Sequence, residues 1–152
     1  MSIANDIAQA VSARLQNITV ANGYQTDIGL RVLRGRRRLD PNQMPCAVIV
    51  ERDDTVLEFQ GQSREPRAKV RQPFVLEGHA ECDPDNPNDV AHLIIADIKK
   101  AIFTERLTYG TEQKIVSVEY TGRSIAPRED GMSLVAAAVE ITVEYVEHMA
   151  NP

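Results

Sequence analysis

Over residues 68–82 the chain alternates, with Val70, Phe74, Leu76, Ala80 and Cys82 on one side of an extended backbone and Lys69, Arg71, Glu77, His79 and Glu81 on the other. A period of two marks a half-buried strand. Strands in small domains usually run to about five or six residues, and this alternation lasts more than twice as long. A strand that outgrows its own core needs another surface to lie on.

A second alternation closes the chain, with Val135, Ala137, Val139, Ile141, Val143 and Tyr145 pointing one way and Glu140, Thr142 and Glu144 the other. Residues 114–120 read as its partner strand, and Asp130-Gly131 between the two is a hairpin signal. Helical spacing appears twice. Ser2 is a suitable N-cap for a stripe of Ile3, Ile7, Val11, Leu15 and Ile18, which Asn22-Gly23 ends. Asn86 can cap a second helix, with Pro87 at its first position, Asp89 on the positive end of its dipole, and a stripe of Val90, Leu93, Ile94, Ile98, Ala101 and Ile102.

Between the helices, Ile28, Leu30 and Val32 alternate as a short strand, and a polar loop rich in Arg, Gly and Pro leads to the apolar strand Cys46-Ala47-Val48-Ile49-Val50. Val56, Leu57 and Phe59 either extend that strand or start a separate one, and residues 60–67 have the composition of a flexible tip. This order predicts one α+β domain over residues 1–152. Its sheet is mostly antiparallel, or mixed, with both helices on one face and extended hairpin loops.

At 152 residues such a domain can bury roughly two thirds of its unfolded surface. No apolar run approaches the ~20 residues of a membrane helix, and the first residues lack the pattern of a signal peptide. The chain is therefore expected in a cytoplasm or inside a particle made there, with no membrane partner. Cys46 and Cys82 lack CxxC spacing and read as small buried hydrophobes.

The catalytic candidates fail on spacing. His79-Ala80-Glu81 matches the H-x-E of zinc deaminases but lacks a downstream P-C-x-x-C, and it sits in a strand pattern where that motif opens a helix. His79, His92 and His148 are scattered. Asp83, Asp85, Asn86 and Asn88 resemble pieces of a calcium loop without its sixth-position Gly or twelfth-position Glu. There is no nucleophile elbow around Ser63, Ser117, Ser124 or Ser133, and no phosphate-cradling Gly loop. No enzyme activity, metal or cofactor is expected.

Charge is the remaining signal. The net value is −5, divided as +3 over residues 1–71 and −8 over residues 72–152. Such a chain can offer complementary patches to its own copies. Arg31, Arg34, Arg36, Arg37 and Arg38 crowd one stretch, and dense like charge calls for a partner. Arg64 and Arg67 add to the basic candidates, and Glu77, Glu81, Asp83 and Asp85 form the candidate acidic surface, within a 77–97 stretch that contains no Lys or Arg. Nucleic acid is an alternative partner for 34–38, but no stacking aromatics interleave it and the acidic total disfavours it as a specific ligand.

The layout resembles a known family. An N-terminal helix leads to Asn22-Gly23-Tyr24-Gln25-Thr26-Asp27-Ile28-Gly29, an Arg-rich turn and Met44-Pro45 opening an apolar strand. Then come a long strand, a helix near residues 94–102 and a closing hairpin. This order is similar to the tail terminator or tail completion proteins of long-tailed phages, over almost the whole chain. The resemblance implies a ring of six subunits capping the head-proximal end of the tail tube. That ring would stop tube polymerisation and offer a docking face to a head-completion or connector protein. It implies a structural virion protein, assembled in the bacterial cytoplasm, with no catalytic residues.

Overall fold

In a computed structural model, described over residues 2–35, 38–126 and 131–152, the order is α1 (Ile3–Gln16), β1 (Val32–Arg34), β2 (Cys46–Glu51), β3 (Thr55–Gln60), β4 (Arg67–Glu81), α2 (Pro87–Phe103), β5 (Thr108–Tyr109), β6 (Lys114–Ile115), β7 (Ser117–Ile125) and β8 (Leu134–His148). The two strong alternations become β4 and β8, each 15 residues long. They pair antiparallel from Arg67↔His148 to Glu81↔Leu134. β7 takes the outer edge of β8 over Ala137–Glu144. The outer edge of β4 is shared end to end, β2 lying against residues 74–79 and β3 against residues 67–71. β1 adds a parallel pair beyond β2, so the sheet is mixed but mostly antiparallel. β5 and β6 form a small hairpin of their own.

Both helices cover one sheet face. The Ser2 hydroxyl accepts the Asn5 N–H, as its N-cap position demands, and Ile7, Val11 and Leu15 turn inward. Ile94, Ile98 and Ile102 do the same from α2. Beneath them the register sets Val70, Phe74 and Leu76 beside Tyr145, Ile141 and Val139, all buried in the same core. Each such side chain contributes about 1.5–3 kcal/mol. Gly78 lies directly under the second helix, where a Cβ would come 2.3 Å from the Ile94 Cγ2.

Four expectations are corrected. α1 stops at Gln16; a separate 3-10 turn, Val20–Asn22, follows, capped by the Thr19 side chain and ended by Gly23 at φ 86°. The alternating Ile28, Leu30 and Val32 are not one strand, because Ile28–Leu30 is also a 3-10 turn. Its backbone is held against the end of α1. The Gly29 N–H donates to the Ile18 carbonyl at 2.8 Å, and a Cβ there would sit 2.3 Å from the Leu15 carbonyl oxygen. A chain pinned at that point cannot pair with a neighbour until Val32.

Asn86 stands at the N-cap position of α2 without a side-chain cap bond; its amide donates to Asp83 instead. The strand expected over 114–120 is broken at Val116, whose N–H turns to the Leu107 carbonyl, and resumes as β7 to Ile125. Of the hairpin signal, Asp130 lies outside the described residues.

Beyond Ser117, where β7 begins, the sheet continues as a three-stranded arm of β3, the first residues of β4 and the last of β8. Every residue of β3 is exposed.

Candidate assembly surfaces

The Gly-Tyr-x-Thr-Asp-x-Gly stretch folds as an internal clasp. The Asp97 carboxylate, buried on α2, accepts the N–H groups of Gln25 and Thr26 and the Thr26 hydroxyl, the last two at 2.7 Å. Lys100 stands 4.6 Å from the centre of the Tyr24 ring and donates to the Gly23 carbonyl. The Asp27 carboxylate accepts the Val20 N–H at 2.9 Å. Gly23 supplies the left-handed turn and Gly29 the close approach. Gly23, Tyr24 and Thr26 thus hold the segment between the helices onto α2, while Asp27 and Gly29 tie it to the 3-10 turn and the end of α1. Asp97, the last residue of the 77–97 stretch without Lys or Arg, is therefore interior.

The predicted charged candidates are dispersed. Arg34 ends β1 and reaches Glu51 at 3.0 Å; Arg38 is exposed, and Arg36 and Arg37 lie outside the described residues. Arg64 sits exposed in the β3–β4 turn, and Arg67 pairs with Glu65 at 2.8 Å. Through its β2 partner, Arg34 stands level with Leu76 of β4. Nine positions along a strand put it about 30 Å from Arg67. Glu77 and Glu81 share the helix-free face of β4. Asp83 and Asp85 occupy the turn before α2, where the Asp83 carboxylate is held below its usual range by the Asp85 N–H and the Asn86 amide.

His79 and Glu81 do lie on a strand, and Cys46 of β2 stands directly opposite His79. Burial pushes the Cys46 thiol up and the imidazole of His79 down. The His79 Nε2 is 4.0 Å from a Glu77 oxygen, a spacing that would ordinarily raise the histidine and lower the acid. Burial dominates both and moves each toward its neutral form. Among the described residues, no three His, Cys, Asp or Glu side chains converge as metal ligands, and no helix is long and apolar enough to cross a membrane.

Two apolar surfaces were not legible in the sequence. β3 exposes Val56, Leu57 and Phe59, the last at 63%. At the opposite sheet edge a cleft of about 420 Å³ opens between the end of α2 and the β6–β7 junction, with Phe103 and Ile115 exposed on its walls. Sequence shows that such residues are apolar, but only the fold shows that they stay exposed among the described residues. No protein-family model matches this chain, and no curated protein matches it either.

Proposed function

We propose that the chain is a non-enzymatic structural subunit that assembles as a ring at the head-proximal end of a phage tail, where it stops tube polymerisation and presents a docking surface to the head connector. The observation that carries this reading is the arm. β4 and β8 run past the last pair of β7, and on the outer edge of β4 they carry a fully exposed strand bearing Val56, Leu57 and Phe59. Monomeric proteins seldom leave such strand edges unprotected. The layout that resembles tail terminator proteins supports the same conclusion.

A nucleic-acid-binding role for the 34–38 arginines has less support, because the Arg34 guanidinium is already engaged by Glu51. The test is tube growth in vitro. Adding the purified chain to polymerising tail-tube protein should fix tube length and leave ring-shaped density at one end in electron micrographs. Unlimited tube growth, together with steeply salt-dependent DNA binding by a monomer, would instead favour the nucleic-acid role.

A further inference from the structure

Resting on the ring reading, we propose that successive copies of this chain join side by side, with the β3 edge of one copy seated in the corner that the next leaves open beside β8 and over the α2–β7 cleft. The partner is a second copy.

The register makes the two surfaces fit. β7 pairs with β8 only as far as Ser117↔Glu144. Residues 145–147 are therefore left without a strand partner on that side among the described residues, while Asn151 folds back to bridge His148. β3 pairs with β4 residues 67–71, whose partners on β8 are residues 144–148. The free edge of β3 and the vacant edge of β8 thus lie at one height on opposite sides of the sheet. A sideways step with no shift along the strands brings them together. Both strands run antiparallel to β4, so the new pair is parallel, as β1 and β2 already are.

The faces also agree. Val56 and Phe59 stand opposite Val70 and Ala68, which point to the helix side. The cleft opens on that side too, because α2 forms one of its walls. Phe59 would meet Phe103 and Ile115 of the neighbour. Of the usual guards of a strand edge, β3 carries the charge of Glu58 and an irregularity between Val56 and Glu58, but neither Lys nor Pro, and Phe59 is left bare. The exposed Asp53 and Asp54, just before β3, come near the height of Val118 and Tyr120 in the next copy. There Lys99 stands 4.5 Å from the centre of the Tyr120 ring, a cation placed for their carboxylates. One patch meets a different patch, a heterologous contact that makes a ring when a closing rotation is added to the sideways step.

The experiment uses Phe59→Asp and Ile115→Asp, both at exposed positions, measured by sedimentation over a concentration series with circular dichroism to verify folding. The wild-type chain should associate, and each variant should need at least about tenfold more protein to do so. A one-to-one mixture of the variants should stop at a dimer, since each retains one good surface and only one productive contact remains. If Ile115→Asp misfolds, Phe103→Asp on the other wall replaces it. Wild-type-like assembly by either variant, or a mixture that stays monomeric or grows past the dimer, overturns this contact and leaves the ring reading standing. A wild-type chain that is monomeric at every concentration, alone and with tail tube, removes both.

Discussion

A carboxylate among apolar side chains is tolerated only when its lone pairs are filled, and Asp97 fills them with the N–H groups of Gln25 and Thr26 and the Thr26 hydroxyl. Asp97→Ala would strand these donors, at about 1–3 kcal/mol for each one left buried and unpaired. Urea unfolding should therefore show a loss of about 3 kcal/mol or more, with Asp97→Asn losing less because its oxygen still accepts. His79 and Glu77 carry a pH signature of opposite signs. The folded pKa of His79 lies below its ordinary 6.5, so its contribution is fully present above that value and is lost as pH falls through it. The folded pKa of Glu77 lies above its ordinary 4.5, burial outweighing the Arg52 charge. Its ionised form therefore costs stability at neutral pH, and the cost fades as pH falls toward 4.5. Urea midpoints between about pH 7 and about pH 5 should fall less steeply in His79→Gln than in the wild type, and Glu77→Gln should be the more stable protein at neutral pH.

Among the elements, β3 and the middle of β8 occupy the two ends of a protection scale. β3 is exposed throughout and held by β4 on one edge only. Val139, Ile141 and Val143 sit in the core between two paired strands. Local opening should therefore release β3 amides far more often. Hydrogen exchange in the free chain should show residues 55–60 exchanging at least about a hundredfold faster than residues 139–143, with their protection rising on assembly.

The same contrast explains what was legible in the sequence. β4, β8, the start of α1 and the apolar stripe of α2 follow from periodicity, because each buries one face along a regular element. The 3-10 turn at Ile28–Leu30 does not, since an apolar-Gly-apolar alternation also fits a strand. The contact of Gly29 with the end of α1 decides it, and that contact is tertiary. The exposure of Val56, Leu57 and Phe59 was hidden for a related reason: pairing on one edge leaves no trace in composition.

For the whole molecule, the division into a basic and an acidic half dissolves in three dimensions, because β4 crosses the boundary between residues 71 and 72 and pairs with β8 on both sides of it. The charge is instead graded along one surface, from Arg67, Lys69 and Arg71 to Glu77 and Glu81 on the helix-free face. Glu58 and Glu144 stand opposite Lys69 and Arg71 and offset part of the basic end. Two copies that match basic end to acidic end across that face are related by a two-fold axis, and such a contact is complete at a dimer. A ring needs two different surfaces on different sides, which the β3 edge and the cleft supply. Salt separates the two contacts. Charges farther apart than about 8–10 Å are screened at physiological ionic strength, and an exposed pair such as Asp54 with Lys99 is worth about 0–1 kcal/mol. Association through the apolar edges should weaken by less than about tenfold when salt rises from about 0.1 M to about 0.5 M, and Phe59→Asp should abolish it at both. A face-to-face dimer would dissolve steeply over the same range and be indifferent to Phe59→Asp, so sedimentation of the two proteins at two salt concentrations decides which surface builds the assembly.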